Sequence, residues 1–253
     1  MPRSSHGGRH ELGQNFLNHE PTIAQLADLA RRSPGPVLEI GAGDGALTRA
    51  LHRRGCRVTA IDVDEHRVRA LRRALPDVRV EYADALRYPL TTPTVVGNIP
   101  FHLTTPILRR LLRSRGWRYA VLLTQWEVAR KRAGVGGRTM MTAQAAPWFE
   151  FALVGRVPAR RFTPVPSVDG GILTVARRGT PLVEPAQRPD YERFVHAVFT
   201  GRGGNFTRIL QHAARVELRT ARRILLRAEV APHSLPRDLD APRWAALWHA
   251  LGR

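Results

Sequence analysis

Five short apolar runs alternate with segments whose apolar residues recur at helical spacing, and few folds accommodate that order. The runs are Val37 to Ile40, Arg57 to Ile61, Val78 to Tyr82, Thr94 to Gly97 and Tyr119 to Thr124. Strands joined by helices run parallel, and a parallel sheet has to be buried on both faces. The connecting helices are expected at Ala46 to Arg54, halted by Gly55, at Asp64 to Leu75, halted by Pro76, and at Thr104 to Arg113. A further helix, Glu20 to Arg32, precedes the first strand and is broken by Pro34-Gly35-Pro36. Two later runs, Phe151 to Val157 and Gly171 to Ala176, read as strands with no helix between them, so antiparallel pairing is expected there.

The predicted fold is therefore an α/β, Rossmann-like, mostly parallel seven-stranded sheet. Composition shifts near Arg177-Arg178-Gly179, and no strand is visible beyond Pro189. Helical spacing there covers Tyr191 to Phe199, Thr207 to Val216, Ala221 to Leu226 and Pro242 to Leu251. The expected organisation is a flexible basic arm over 1–12, a sheet domain over 13–179 and a small all-helical C-terminal domain over 180–253.

Charge narrows the partner. The 253 residues carry a formal net charge of +19, and a basic surface of that size attracts polyanions, nucleic acid first among them. Lys131 is the only lysine. A GC-rich genome accounts for arginine over lysine but not for the excess of cations over acids. Cys56 is the only cysteine, so neither an intramolecular disulfide nor a thiolate zinc site is available, and no metal is expected. The basic start lacks the apolar run of a signal peptide, and no stretch approaches the ~18 apolar residues of a membrane span. A cytoplasmic, soluble monomer with no membrane partner is expected.

The segment Glu39-Ile40-Gly41-Ala42-Gly43-Asp44-Gly45 ends a strand and opens a helix. Glycines there permit a tight turn and let a ligand approach the backbone. Asp62 ends the next strand, where a carboxylate can accept from both ribose hydroxyls. Asp84 follows the third strand, within reach of the exocyclic amine of an adenine ring. These three strand ends suit an adenosine-containing cofactor, and do not by themselves decide between NAD and S-adenosylmethionine.

Asn98-Ile99-Pro100-Phe101, closing the fourth strand, does decide. An adenine amine is a poor nucleophile because its lone pair is delocalised into the ring. The Asn98 side-chain oxygen and the Ile99 carbonyl are placed to accept its hydrogens and favour the tetrahedral nitrogen that attacks a methyl sulfonium. Pro100 stiffens the turn. Phe101 offers a flat face to the base. No dedicated general base is required, because the amine becomes acidic once methylated.

With these residues in place the chain resembles the ribosomal RNA adenine N6-methyltransferases, class I enzymes that use S-adenosylmethionine. The resemblance is carried by Gln14-Asn15-Phe16-Leu17, the glycine segment, N-I-P-F with His102-Leu103-Thr104-Thr105, and Phe162-Thr163-Pro164-Val165-Pro166-Ser167-Val168. Within that group it looks like the Erm branch, whose substrate is an adenine of the 23S rRNA peptidyl transferase loop and whose action confers macrolide, lincosamide and streptogramin B resistance. Arg9-His10-Glu11-Leu12, Gln125-Trp126-Glu127-Val128-Ala129 and the run from Ala133 to Met141 carry this finer likeness. The small-subunit dimethyladenosine transferases, acting on 16S rRNA in ribosome assembly, share the motif set and are the alternative. A non-catalytic RNA-binding factor with a vestigial site is the alternative of another class. A DNA adenine methyltransferase is disfavoured by Ile99, which stands where those enzymes carry proline.

The resemblance implies a cofactor set of Asn15, Leu17, Gly41, Asp62, Asp84 and Asn98, with Gly43 and Ala85 beside them. It implies a catalytic set of Asn98, Ile99, Pro100 and Phe101. Many members have Glu in place of Asp62 and Tyr in place of Phe101; the shorter acid still reaches, and the ring face survives without the hydroxyl. The implied partner is 23S rRNA, naked or in an assembly precursor. Arg109, Arg110, Arg130, Lys131, Arg132, Arg138, Arg160 and Arg161 are candidate phosphate contacts.

Overall fold

The computed structural model describes residues 15–252. The expected arm over 1–12, Gln14 and Arg9-His10-Glu11-Leu12 lie outside that range. The chain falls into two compact units: one comprises the residues up to Ala129 with Leu153–Thr174, the other Arg130–Ala152 with Val175–Arg253.

The first unit opens with a two-residue strand, β1 (Phe16–Leu17), and a helix, α1 (Glu20–Ala30). There follow β2 (Val37–Ile40), α2 (Ala46–Arg53), β3 (Val58–Asp62), α3 (Glu65–Ala74), β4 (Arg79–Tyr82), β5 (Thr94–Asn98), α4 (Thr104–Arg113) and β6 (Tyr119–Gln125). The alternation read from the sequence is present in order. Then come α5 (Trp126–Arg132), α6 (Met140–Ala145), β7 (Phe149–Val157), the two-residue β8 (Phe162–Thr163) and β9 (Gly170–Arg177).

Seven strands form one sheet in the order β4-β3-β2-β5-β6-β9-β7, with β4, β3, β2, β5 and β6 pairing parallel. β2 is third from one edge, inside the sheet, and is buried at every residue, as a strand covered on both faces requires. Its register sets the geometry of everything that follows. Ile40 pairs with Ile61, and Glu39 with Val96, so the ends of β2, β3 and β5 arrive together at one edge. Gly97 marks how tightly they meet: a Cβ there would lie 2.4 Å from the Ile40 carbonyl oxygen. α1 packs on α2, β5 and β6, while α3 lies on β3 and β4. Leu26, Ala27, Ala30, Leu51 and Ala60 are fully or almost fully buried in the resulting core.

Sequence periodicity left out β1, β8, α5 and α6. β1 and β8 pair with each other, not with the main sheet, through Phe16↔Thr163 and Leu17↔Phe162. Two-residue strands carry no alternation to detect. α5 and α6 have seven and six residues, too few for a helical stripe to declare itself.

The second unit contains the expected helices: α7 (Arg188–Thr200), α8 (Phe206–Ala214), α9 (Leu218–Arg227) and α10 (Ala241–Ala250). Its centre is aromatic. The Tyr191 ring meets Trp148 and Trp248 edge to face, at 5.4 and 5.6 Å between centroids. Its buried hydroxyl donates to the Ala143 carbonyl oxygen at 3.0 Å, tying α7 to α6. Among the described residues no helix is long and apolar enough to cross a membrane.

Tyr191→Phe removes one buried hydrogen bond and keeps the ring contacts. It should lower the unfolding free energy by about 1 kcal/mol, whereas Tyr191→Ala, which empties the cluster, should cost about 3–5 kcal/mol. Urea denaturation monitored by tryptophan fluorescence measures both. Equal losses would show that the hydroxyl, not the ring, holds the cluster.

Candidate active site

At the carboxyl edge of the sheet a cavity of about 350 Å³ opens between the ends of β2, β3 and β5. Open α/β sheets bind ligands at this edge. Asn15, Leu17, Gly41, Gly43, Asp62, Asn98, Ile99, Pro100 and Phe101 all line it. Two members of the expected cofactor set do not. Asp84 and Ala85 lie past the end of β4, where Asp84 Oδ1 accepts from the Leu86 amide and the Ala85 carbonyl accepts from Arg110.

The glycine turn is fastened to its neighbour by one carboxylate. Asp62 Oδ2 accepts from the Gly43 amide at 2.7 Å and Oδ1 from the Asp64 amide at 2.9 Å. Gly43 has a φ of +53°, and a Cβ there would lie 3.0 Å from the Phe16 ring. Any side chain at this position would therefore be strained and would push against the aromatic that caps the turn. Arg67 also lies over Phe16, with its guanidinium carbon 4.2 Å from the ring centroid. Arg67 is itself anchored by Asp44 and Asp64.

The segment carrying Phe16 is bound to the rest of the unit at several points. The Asn18 amide donates to the Arg161 carbonyl at 3.0 Å, and Asn18 Nδ2 donates to Thr163 Oγ1 at 2.7 Å. Together with the β1–β8 ladder, these bonds join the first and last of the motifs that distinguish the sequence. The loop between β7 and β9 is tied down by Asp169, which accepts from the Ala159 amide at 2.8 Å and from Arg156 at 2.6 Å. The Ala159 amide, with Arg156 beside it, holds the Asp169 carboxyl below its ordinary range.

N-I-P-F is a rigid turn. The Ile99 amide donates to the Leu123 carbonyl at 2.9 Å, and the Leu103 amide to the Pro100 carbonyl at 2.8 Å. Thr104 and Thr124 bond through their hydroxyls beneath it. Asn98 Nδ2 donates to the Asn15 carbonyl oxygen at 2.7 Å, which commits the nitrogen end of the amide and leaves Oδ1 as the acceptor end at the cavity. Phe101 is partly exposed and starts a short 3-10 turn that leads into α4.

Two residues that sequence reasoning passed over belong to this site. One is Phe16, the ring over the glycine turn. The other is Glu39, in β2, 1% exposed and on the cavity wall, with Oε2 lacking a hydrogen-bond partner. Its signal was in the text, an acid between Leu38 and Ile40 in an otherwise apolar strand. Burial pushes the Glu39 carboxyl up to about 8; Asp62 adds to the shift, while Thr48 and Arg49 oppose it.

The candidate phosphate contacts are dispersed. Arg109 and Arg110 border a shallow depression with Arg113 and Pro106. Arg161 donates to Thr22 Oγ1 at 3.1 Å. In the other unit Arg130 donates to the Val135 carbonyl at 3.2 Å and Arg132 to Thr139 Oγ1 at 2.7 Å, while Arg138 packs beside Gly134. Lys131 and Arg160 are exposed, with no ion-pair partner among the described residues.

A family model for ribosomal RNA adenine dimethylase matches residues 5–238. The chain belongs to this family. The mycinamicin-resistance protein MyrB of Micromonospora griseorubida is 50% identical over 246 residues, which cover 96% of this chain and 78% of that protein. An rRNA adenine N-6-methyltransferase of Corynebacterium diphtheriae is 49% identical over 208 residues, covering 81% and 82%. The crystal structure of the 23S rRNA methyltransferase ErmE superimposes with a TM-score of 0.86 at 36% identity, covering 94% of this chain and all of that one. The dimethylase family thus accounts for the α/β sheet and the helical region that follows it.

Glu39 makes stability depend on pH. Between the ordinary carboxyl range near 4.5 and its raised value near 8, the folded chain holds a proton that the unfolded chain has lost. Stability therefore falls as pH rises through this window and levels off above it, with a slope approaching ~1.4 kcal/mol per unit. Glu39→Gln should flatten the profile. Urea unfolding from pH 5 to 9 tests this, and superimposable profiles for the two proteins would refute it.

Proposed function

We propose that this chain transfers methyl groups to N6 of an adenine in the peptidyl transferase loop of 23S rRNA, with S-adenosylmethionine as donor. The consequence would be resistance to macrolides, lincosamides and streptogramin B. One observation carries the chemistry: Asn98 is fixed through its nitrogen by the Asn15 carbonyl, so its oxygen faces the cavity as an acceptor. The choice of RNA is supported by relatives at about half identity, one named for mycinamicin resistance and one for rRNA adenine methylation.

The cavity suits the donor. It offers apolar walls at Ile23, Leu26 and Leu47, two acids at Glu39 and Asp62, and an aromatic lid at Phe16. A buried carboxyl oxygen without a partner is a natural counterpart for a cation. Asp62, whose oxygens each accept one backbone amide, retains lone pairs for ribose hydroxyls. The bound donor would supply an electrophilic methyl group on a positively charged sulfur.

The chain's own part is to place and polarise the amine. Phe101 stacks on the target base. Asn98 Oδ1 and the Ile99 carbonyl accept the two amine hydrogens, which localises the nitrogen lone pair toward the cavity. The Asn98 orientation is secured because flipping the amide would break the bond to Asn15. The base would have to leave its stack to reach this position, as in other enzymes that act on bases. Residues 13–179 would carry this work, with 180–253 as a helical domain, in a cytoplasmic monomer acting on naked 23S rRNA or an assembly precursor. Asp84 and Ala85 would close on the adenine ring of the donor from the neighbouring strand end. Arg109, Arg110, Arg130, Lys131, Arg132, Arg138, Arg160 and Arg161 would provide phosphate contacts.

The purified protein, S-adenosylmethionine and naked 23S or 16S rRNA should yield one modified adenine in the 23S peptidyl transferase loop, mapped by reverse-transcriptase stops and mass spectrometry. Asn98→Ala should reduce the rate by on the order of 100-fold or more, the scale on which one preorganised polar contact acts. Modification of 16S rRNA alone would move the chain to small-subunit assembly, and modification of neither would sink the enzymatic reading.

Phe101→Ala should raise KM for RNA about 5- to 100-fold through loss of stacking, while Phe101→Tyr should stay near wild type. Steady-state kinetics at saturating donor separates the two. A Phe101→Ala protein with unchanged KM and kcat would remove Phe101 from the site.

A further inference from the structure

The ring that covers the glycine turn is not fixed there by core packing. Phe16 is half-buried and lines the cavity. Its neighbours are tied down by other means: the Asn15 carbonyl accepts from Asn98, and Leu17 is buried in the core. The Phe16 side chain meets the turn at Gly43, where a Cβ would lie 3.0 Å from the ring, and the Arg67 guanidinium at 4.2 Å from the ring centroid.

Arg67 is oddly placed for a residue that serves its own helix. It is the third residue of α3, and a cation in the first turn of a helix is opposed by the helix dipole. The N-terminus of α3 is already served by acids, Asp64 at the cap and Glu65 after it. Arg67 instead leans out of α3 toward the glycine turn, where Asp44 pairs with it, while Asp64 lies 3.2 Å from its Nε. Its side chain is 19% exposed, whereas Asp44 is 63% exposed. Solvent screens an ion pair of that kind. A guanidinium largely out of water gains more from an aromatic face than an exposed one does, and its planar group suits a ring.

We infer that Arg67 is a positioning residue for the methyl donor, which latches Phe16 over the cavity and so sets the fraction of chains whose cover is closed. This inference rests on the donor reading above. Phe16 cannot leave the cavity without giving up the Arg67 contact, so the energy of that contact falls on the closed state alone. A ligand that needs the closed state binds with its intrinsic Kd divided by the closed fraction. The latch therefore acts on donor affinity and leaves the acceptor geometry at Asn98 as it is. A purely structural Arg67, stapling α3 to the glycine turn through Asp44, would affect donor affinity equally whether or not residue 16 is aromatic.

That difference is the test. Four full-length proteins are compared by isothermal titration calorimetry with S-adenosylmethionine: wild type, Arg67→Gln, Phe16→Leu and the double variant. Gln keeps helix propensity and removes the charge; Leu keeps an apolar cover and removes the aromatic face. Arg67→Gln should raise the donor Kd about 3- to 30-fold, the range of a partly to largely desolvated cation–ring contact. In the Phe16→Leu background the same change should raise it by less than about twofold, because the partner is gone. Thermal melts establish that each variant is folded. An unchanged Kd in folded Arg67→Gln overturns the latch, and so does an equal loss in both backgrounds, which assigns Arg67 to the turn and not to the ring. The wild type separates this failure from that of the underlying reading. A wild type that binds no S-adenosylmethionine overturns both, whereas one that binds it and shows the expected cycle, yet methylates neither 23S nor 16S rRNA, keeps the latch and sinks the enzymatic reading.

Discussion

The Asp62 carboxylate is the joint on which the site is built. Its two oxygens accept the Gly43 and Asp64 amides and so hold the turns after β2 and β3 in fixed relation. A buried carboxylate that accepts backbone amides needs no counter-ion, because the amide dipoles supply the compensation. With that joint made, the glycine turn presents its backbone to the cavity, Phe16 settles on Gly43, and Arg67 closes over Phe16. Glu39 lies behind the same turn, where the charge of Asp62 helps keep it protonated. The Asp62 oxygens are satisfied by backbone amides, whereas Glu39 holds its proton and has an oxygen to spare.

Much of the fold was legible because a buried parallel sheet writes itself as apolar runs between helical stripes. β2 and α4 stand where periodicity put them, and the other strands of the sheet moved by a residue or two at their ends. The proposed catalytic turn was legible for a different reason: N-I-P-F is a chemical text, with an acceptor, a stiff residue and a flat ring in succession. What stayed hidden depends on distance along the chain. Nothing in the neighbourhood of Phe16 announces that it pairs with Thr163, and a two-residue ladder leaves no alternation. Asp84 was read, like Asp62, as an acid on the edge of the sheet that carries the site, because both follow strands. β4 lies beyond β3 from the centre of the sheet, and its end stands off the cavity that β2, β3 and β5 enclose.

Charge was legible as a total but not as a pattern. The excess of arginine pointed to a polyanion, and the candidates chosen from the sequence were those nearest the motifs. Several of them are occupied with local bonds, as Arg132 is with Thr139 and Arg161 with Thr22. Exposed arginines without an ion pair among the described residues stand on several helices, Arg53 on α2, Arg73 on α3, Arg109 and Arg113 on α4, and Arg222, Arg223 and Arg227 on α9.

The bond from Asn98 to the Asn15 carbonyl makes the amide an interlock. A primary amide turned end for end offers hydrogens where it had offered oxygen, and on the proposed mechanism an acceptor for the target amine would become a donor that repels it. The backbone of the N-terminal segment decides between those two states, because only a carbonyl in that place rewards the productive one. Phe16, the next residue, covers the glycine turn, so the same few residues both shut the cavity and cock the amide. On the proposed mechanism such a chain would be armed for chemistry only with its cover in place, because one hydrogen bond serves both ends.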